Sequence, residues 1–184
     1  MPGCPSYKSF ETERLLLKPM DETDAAFLLT ILNSPKWLRY IGDRNVHTVA
    51  EAATYIKTRV TSQLERLGFG NNLVIRKQDN TPIGVCGLYQ RPGFSMIDIG
   101  FAFLETYEGK GYGYEAANRL LVAATEDFGL EKVCAITTKE NVASQKLLKK
   151  LGLQFVKLIT LEESNEEMQY FEKELKGFCS NTTS

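Results

Sequence analysis

Three glycines at alternate positions, Gly109, Gly111 and Gly113, stand between a β-rich run at residues 96–104 and a helical pattern that starts at 111. Glycine lets the backbone bend and come close to a ligand, and the first turn of a helix carries N–H groups with no partner inside the helix. Together these features make a seat for a phosphate or pyrophosphate. A tight strand-to-helix turn needs the same residues, and the spacing alone leaves both readings open. The segment is not a P-loop, because no Gly-Lys-Ser/Thr follows at the required distance. It also lacks the G-x-G-x-x-G of a dinucleotide fold and does not follow the first strand.

Other reactive side chains are scarce. His47 is the only histidine, which excludes metal centres built from several imidazoles and leads us to expect no metal cofactor. On count alone, Ser-His-Asp and Cys-His systems stay open. The four cysteines, Cys4, Cys86, Cys134 and Cys179, form no CxxC pair. Cys86 lies in the apolar run 83–88 and Cys134 in 133–136, where a thiol behaves as a small buried hydrophobe. No disulfide framework is expected.

The elements that must position the glycine turn are legible in the patterning. The chain has 184 residues, 43% of them hydrophobic and 24% charged, the profile of a soluble globular protein. We expect one domain over residues 11–175, a lead-in at 1–10 and a polar tail at 176–184. A net charge of −1 argues against binding nucleic acid or an anionic membrane surface. No apolar run approaches the ~18 residues of a membrane span, and the N-terminus carries no signal-peptide pattern, so the expected location is the cytoplasm. A short strand at 14–18 ends at Pro19, and acidic residues at 21–24 open a helix to about Leu32. Thr48 and Glu51 form a capping box, followed by an apolar face of Ala52, Ile56, Val60, Leu64 and Leu67 that Gly68 ends. Strands follow at 73–76, 83–89 and 96–104, then a helix at 111–128, a strand at 133–137 and a helix at 141–151. Two last strands, 154–160 and 167–174, complete the order β-α-α-β-β-β-α-β-α-β-β. This is a mixed α/β domain around one sheet.

Four stretches carry a family resemblance. Gly109-Lys-Gly-Tyr-Gly-Tyr-Glu-Ala116 resembles motif A of the GNAT acyltransferases, Q/R-x-x-G-x-G/A. Thr12-Glu-Arg-Leu-Leu-Leu-Lys-Pro19, Pro82-Ile-Gly-Val-Cys-Gly87, and Asn141-Val-Ala-Ser144 with Leu147-Leu-Lys-Lys-Leu-Gly152 are similar to the RimJ/RimL-like branch, which contains the ribosomal-protein N-terminal acetyltransferases. The resemblance implies the GNAT fold: a central mixed, mostly antiparallel sheet, splayed between two parallel strands, with helices on both faces. It also implies acetyl-CoA as co-substrate. Its pyrophosphate would sit on Gly109, Lys110, Gly111, Tyr112, Gly113 and Tyr114. The pantetheine arm would run along the backbone of Phe101, Ala102 and Phe103 and near Asn141. The Q/R position is occupied by Glu108, whose carboxylate we expect to face solvent.

The implied reaction is attack of a neutral amine on a thioester, which needs a proton acceptor for the amine and a proton donor for the leaving thiolate. The family's carboxylate maps to Asp98, with Glu105 as a second candidate. The tyrosine many members use as acid maps to Leu148, so Ser144 takes that place. Trp37 and Tyr40, in a loop between the first two helices, are expected to wall the acceptor site. No catalytic role is expected for His47, which should sit just before the Thr48 cap. The acidic residues Glu162, Glu163, Glu166 and Glu167 form a charged connection between the last two strands. The implied partners are acetyl-CoA and an amine, either a peptide N-terminus or a small molecule, with the chain a monomer or homodimer. The alternative reading is a non-catalytic acyl-CoA sensor or scaffold on the same fold.

Overall fold

Eight strands pair into one sheet, and helices pack apolar side chains against both of its faces. The computed structural model describes residues 7–92, 94–161 and 165–175. Cys4, Cys179, Glu162, Glu163, most of the lead-in and the polar tail lie outside the described residues. The elements run β1 (Phe10–Glu11), β2 (Leu15–Pro19), α1 (Ala25–Leu32), α2 (Pro35–Tyr40), α3 (Val49–Tyr55), a π-helical stretch (Ile56–Thr61) and α4 (Ser62–Leu67). Then come β3 (Asn71–Arg76), β4 (Thr81–Tyr89), β5 (Asp98–Phe103), α5 (Tyr112–Glu126), β6 (Lys132–Thr137), α6 (Val142–Lys150), β7 (Gln154–Thr160) and β8 (Glu167–Glu174).

The strand order is β1-β2-β3-β4-β5-β6-β8-β7, and every pairing is antiparallel except β5 with β6. Strand β4 is buried on both faces. Its Cys86 and Leu88 face the cluster under α5 and α6, and Val85 faces the cluster under α1, α3 and the π-helical stretch. Strand β5 alternates in the same way, with Ile99 on the first side and Ala102 on the second. Both expected buried thiols, Cys86 and Cys134, are fully enclosed.

Three local features differ from the expectation. Phe10 is 3% exposed and opens β1, so the sheet begins inside the expected lead-in. Residues 35–40, expected as loop, form α2, with Pro35 at the first helical position where its missing N–H costs nothing. The helix after Thr48 is not uniform. Ala52, Ile56, Val60 and Leu64 are all buried at strict four-residue spacing. An α-helix over-rotates by about 40° for each four-residue step. The wider π turn at 56–61 absorbs that drift and keeps the four side chains on one face. Thr48 and Glu51 cap each other as expected, and Gly68 ends the helix in the left-handed region at φ +79°.

Strands β5 and β6 share one register pair, Asp98 with Cys134, braced by the Cys134 N–H to Ile97 O bond of 2.9 Å. Beyond that pair the two parallel strands have no further partners in register and open into a cleft. Strand β5 keeps its other edge paired to β4 throughout, from Tyr89–Asp98 to Gly84–Phe103. The edge of Phe101–Phe103 facing β6 is therefore free of sheet pairing.

Candidate functional site

The turn after β5 is built by backbone conformation. A short 3-10 turn at Glu105–Tyr107 leads to Gly109 at φ +70° and Gly111 at φ +84°, and Gly111 is the N-cap of α5. Both angles lie where L side chains are strained, so glycine is required at each. The first α5 bond is Glu115 N–H to Gly111 O, 3.0 Å. The N–H groups of Tyr112, Gly113 and Tyr114 thus have no carbonyl within the helix, and the dipole there favours an anion. Gly113 is small for another reason. A Cβ on it would lie 3.2 Å from Leu147 Cδ2 and 3.6 Å from the Phe103 ring, so it lets α6 pack close to α5. The glycine at this position therefore also serves helix packing.

Side chains outside the turn hold it in place. Arg14, at the foot of β2, bonds Glu115 through Nε (2.7 Å) and Nη2 (2.6 Å), and its backbone N–H reaches the other oxygen at 3.0 Å. Thr12 Oγ1 donates to the same oxygen at 2.5 Å, and Arg14 Nη1 donates to the Lys110 carbonyl at 3.1 Å. Burial works to raise the Glu115 carboxyl, but the bonds from Thr12 and Arg14 outweigh it and hold the group below its ordinary value. Tyr112 is 8% exposed, its ring in the core beneath the Arg14 guanidinium at 4.5 Å, so only its backbone faces the turn. Lys150 lies 4.6 Å over the Tyr114 ring. Lys110 turns back to the Thr106 carbonyl at 2.8 Å. Glu108 is exposed, as expected, and pairs with Lys36 of α2, which is also 3.8 Å from Glu105.

At the open end of the cleft, α6 starts directly beyond β6. Asn141 is its N-cap, with Oδ1 accepting the Ser144 N–H at 3.1 Å. Ser144 is half-buried. Because β5 and β6 are parallel, Asn141 and Ser144 stand at the same end as the glycine turn, as the Gly113–Leu147 approach also requires. Helix α2 flanks this end through Lys36. Its Trp37 packs against the second core cluster with Nε1 buried and unpartnered, and Tyr40 lies under the Arg39 guanidinium at 5.0 Å.

Asp98 is elsewhere. It sits at the vertex of the cleft, 1% exposed, roughly 10–17 Å along the strand from Phe101–Phe103. Its Oδ2 accepts from Arg91 Nε at 2.5 Å, and Oδ1 is buried without a hydrogen-bond partner. Burial pushes the carboxyl up, and the Arg91 charge works against that shift. Burial likewise pushes the Cys134 thiol up to about 12. The structure therefore joins the glycine turn, the free edge of 101–103, Asn141 and Ser144 at one end, with Asp98 at the other. Arg14, Lys36 and Arg91 were not singled out from the sequence as parts of this site. Arg14 lies in the segment Thr12–Pro19 and Glu115 in the first turn of α5, but their pairing spans 101 positions. Nothing local signals such a contact.

The acetyltransferase (GNAT) domain family matches residues 14–154. The N-acetyltransferase p20 of Bacillus licheniformis is 29% identical over 150 residues, covering 78% of this chain and 80% of p20. Among solved structures, an acetyltransferase from Agrobacterium tumefaciens superposes with a TM-score of 0.76 at 22% identity, over 95% of this chain and 98% of its own. RimL, a ribosomal L7/L12 α-N-protein acetyltransferase solved with coenzyme A, gives a TM-score of 0.77 at 15% identity, over 91% of this chain and 98% of its own. No helix among the described residues is long and apolar enough to cross a membrane.

Proposed function

The chain belongs to the GNAT acetyltransferase family, and from that premise we propose that it moves the acetyl group of acetyl-CoA onto a primary amine by direct attack on the thioester. The observation that carries this reading is the cleft between β5 and β6, with one register pair at its vertex and the glycine turn at its mouth. The pyrophosphate would take the N–H groups of Gly109–Tyr114. The pantetheine amides would pair with the unpaired edge of Phe101, Ala102 and Phe103, adding a strand-like partner where the sheet opens. Asn141 Oδ1 is committed to capping α6, so its Nδ2 is the group left to donate to the arm.

At the reacting centre, a backbone N–H of β5 would stabilise the oxygen of the thioester carbonyl as charge develops on it. The amine nitrogen attacks the carbonyl carbon, the C–S bond breaks, and the ammonium proton leaves the new amide. Asp98 is the final acceptor of that proton through a relay of waters, since its buried carboxylate lies about 10 Å or more along β5 from the free strand edge. Ser144 Oγ supplies a proton to the departing CoA thiolate. The acceptor, a protein N-terminus or a small-molecule amine, would enter past Trp37 and Tyr40. Mass spectrometry of an amine incubated with the chain and acetyl-CoA tests the reading. Acetylated amine with free CoA supports it, and intact acetyl-CoA with every amine tried opposes it.

The donor seat makes a separate prediction. A free carboxylate at Glu108 would repel a pyrophosphate on the neighbouring N–H groups, and Lys36 neutralises it. Lys36→Met is expected to weaken acetyl-CoA binding about three- to tenfold in calorimetry, less at high salt. Adding Glu108→Gln to Lys36→Met should restore it. An affinity that stays low in the double variant would show that Lys36 acts by another route.

A further inference from the structure

We infer that Arg91 is a positioning residue for the transfer: from the connection after β4 it holds Oδ2 of Asp98 and leaves Oδ1 as the free proton-accepting oxygen at the vertex of the cleft. This inference rests on the proposed role of Asp98. Three observations carry it. The Arg91 Nε–Asp98 Oδ2 bond is short, 2.5 Å, and the Asp98 side chain is 2% exposed against 33% for Arg91, so the pair is closed on the carboxylate side. Oδ1 is buried and makes no hydrogen bond of ordinary geometry, although the Ile136 N–H on β6 lies close enough to favour the ionised carboxylate. A buried carboxylate oxygen without a partner is unusual in a structural ion pair, where the remaining lone pairs are normally satisfied.

The surroundings leave Arg91 as the charge that acts on Asp98. Tyr89 on β4 is partly buried, its hydroxyl donates to Asn71 Oδ1 at 2.6 Å, and burial raises that hydroxyl well above the ordinary range. On β6, Cys134 is neutral because burial raises its thiol. Tyr170 on β8 is raised first by burial and then by Cys134, and Glu172 is bound to Lys132 at 3.0 Å. Fixing one oxygen with a planar guanidinium sets the direction of the other, which a diffusely solvated carboxylate does not achieve. Arg91 makes its ion pair with Asp98, and it acts through that carboxylate.

The test is the pH profile of kcat/KM for Arg91→Gln, Arg91→Lys and Asp98→Asn, with the acetyl-CoA KM measured alongside. Without the guanidinium, burial acts on Asp98 unopposed and its carboxyl rises further. A base must be ionised to act, so the acid limb of Arg91→Gln should move to higher pH by about one unit or more. Activity near neutrality should fall about tenfold and recover at higher pH, with the acetyl-CoA KM unchanged. Arg91→Lys should return most of the limb, because it keeps the charge, yet keep a lowered kcat, because it loses the planar Nε–H donor that holds Oδ2. Should Arg91→Gln fail to fold, Arg91→Lys decides: a wild-type kcat overturns the inference. An unmoved acid limb in Arg91→Gln also overturns it, provided Asp98→Asn abolishes that limb. If Asp98→Asn keeps both the rate and the limb, the role given to Asp98 itself is wrong.

Discussion

Asp98→Asn is expected to lower kcat/KM by about 10²–10⁴-fold, the range for loss of a positioned proton acceptor. Asparagine keeps the shape of the carboxylate and removes its basicity. The wild-type acid limb should vanish, and the two enzymes should converge as pH falls and the wild-type carboxylate is protonated. The affinity for acetyl-CoA should hold, because the seat at Gly109–Tyr114 lies at the far end of β5. Stability should change little, because burial already outweighs the Arg91 charge on the ionised carboxylate and Arg91 is itself one-third exposed. Denaturant unfolding checks this. A rate loss that tracks only the folded fraction would remove Asp98 from the chemistry.

The second large effect is expected at Gly111. A β-branched residue at φ +84° carries about 1–2 kcal/mol of backbone strain or more, and its Cβ would stand 3.3 Å from Arg14 Nη2. Gly111→Val should therefore distort the first turn of α5, displace the Arg14 clamp and weaken acetyl-CoA binding tenfold or more. Gly109→Ala, with open space around its Cβ but φ +70°, should weaken binding less. Gly113→Ala should be mildest, because the atom it meets is the flexible end of Leu147. Calorimetry with acetyl-CoA on the three variants checks the order. A loss at Gly113→Ala equal to that at Gly111→Val would mean that a ligand, and not α6, approaches that position.

Much of the scaffold was legible because its signals are local. The Thr48–Glu51 capping box, the Gly68 stop and the strand runs at 154–160 and 167–174 each depend on a few neighbouring residues, and the elements follow them closely. The glycine turn was legible for the same reason, since two of its residues need a left-handed backbone. The π-helical stretch was hidden because a four-residue repeat reads as an ordinary amphipathic helix until its accumulated rotation is counted. Helix α2 was missed because six residues with Trp, Leu and Tyr have no periodicity long enough to register. The site's supports were least legible. Arg14 with Glu115, Lys36 with Glu108 and Arg91 with Asp98 come from different elements, and only the fold brings them together. The alternation of β5 did place Asp98 on the face of Gly100 and Ala102, but not its burial at the vertex, which depends on where β6 stops pairing.

On the proposed function, the cleft between β5 and β6 holds acetyl-CoA and passes its acetyl group to an amine. The most direct measurement is continuous detection of free CoA thiol from acetyl-CoA, with and without amines: a peptide with a free N-terminus, a polyamine and an aminoglycoside. Saturable thiol release is expected that requires both acetyl-CoA and at least one amine and is suppressed in Asp98→Asn. Binding of acetyl-CoA with no amine-dependent release across the panel would contradict it.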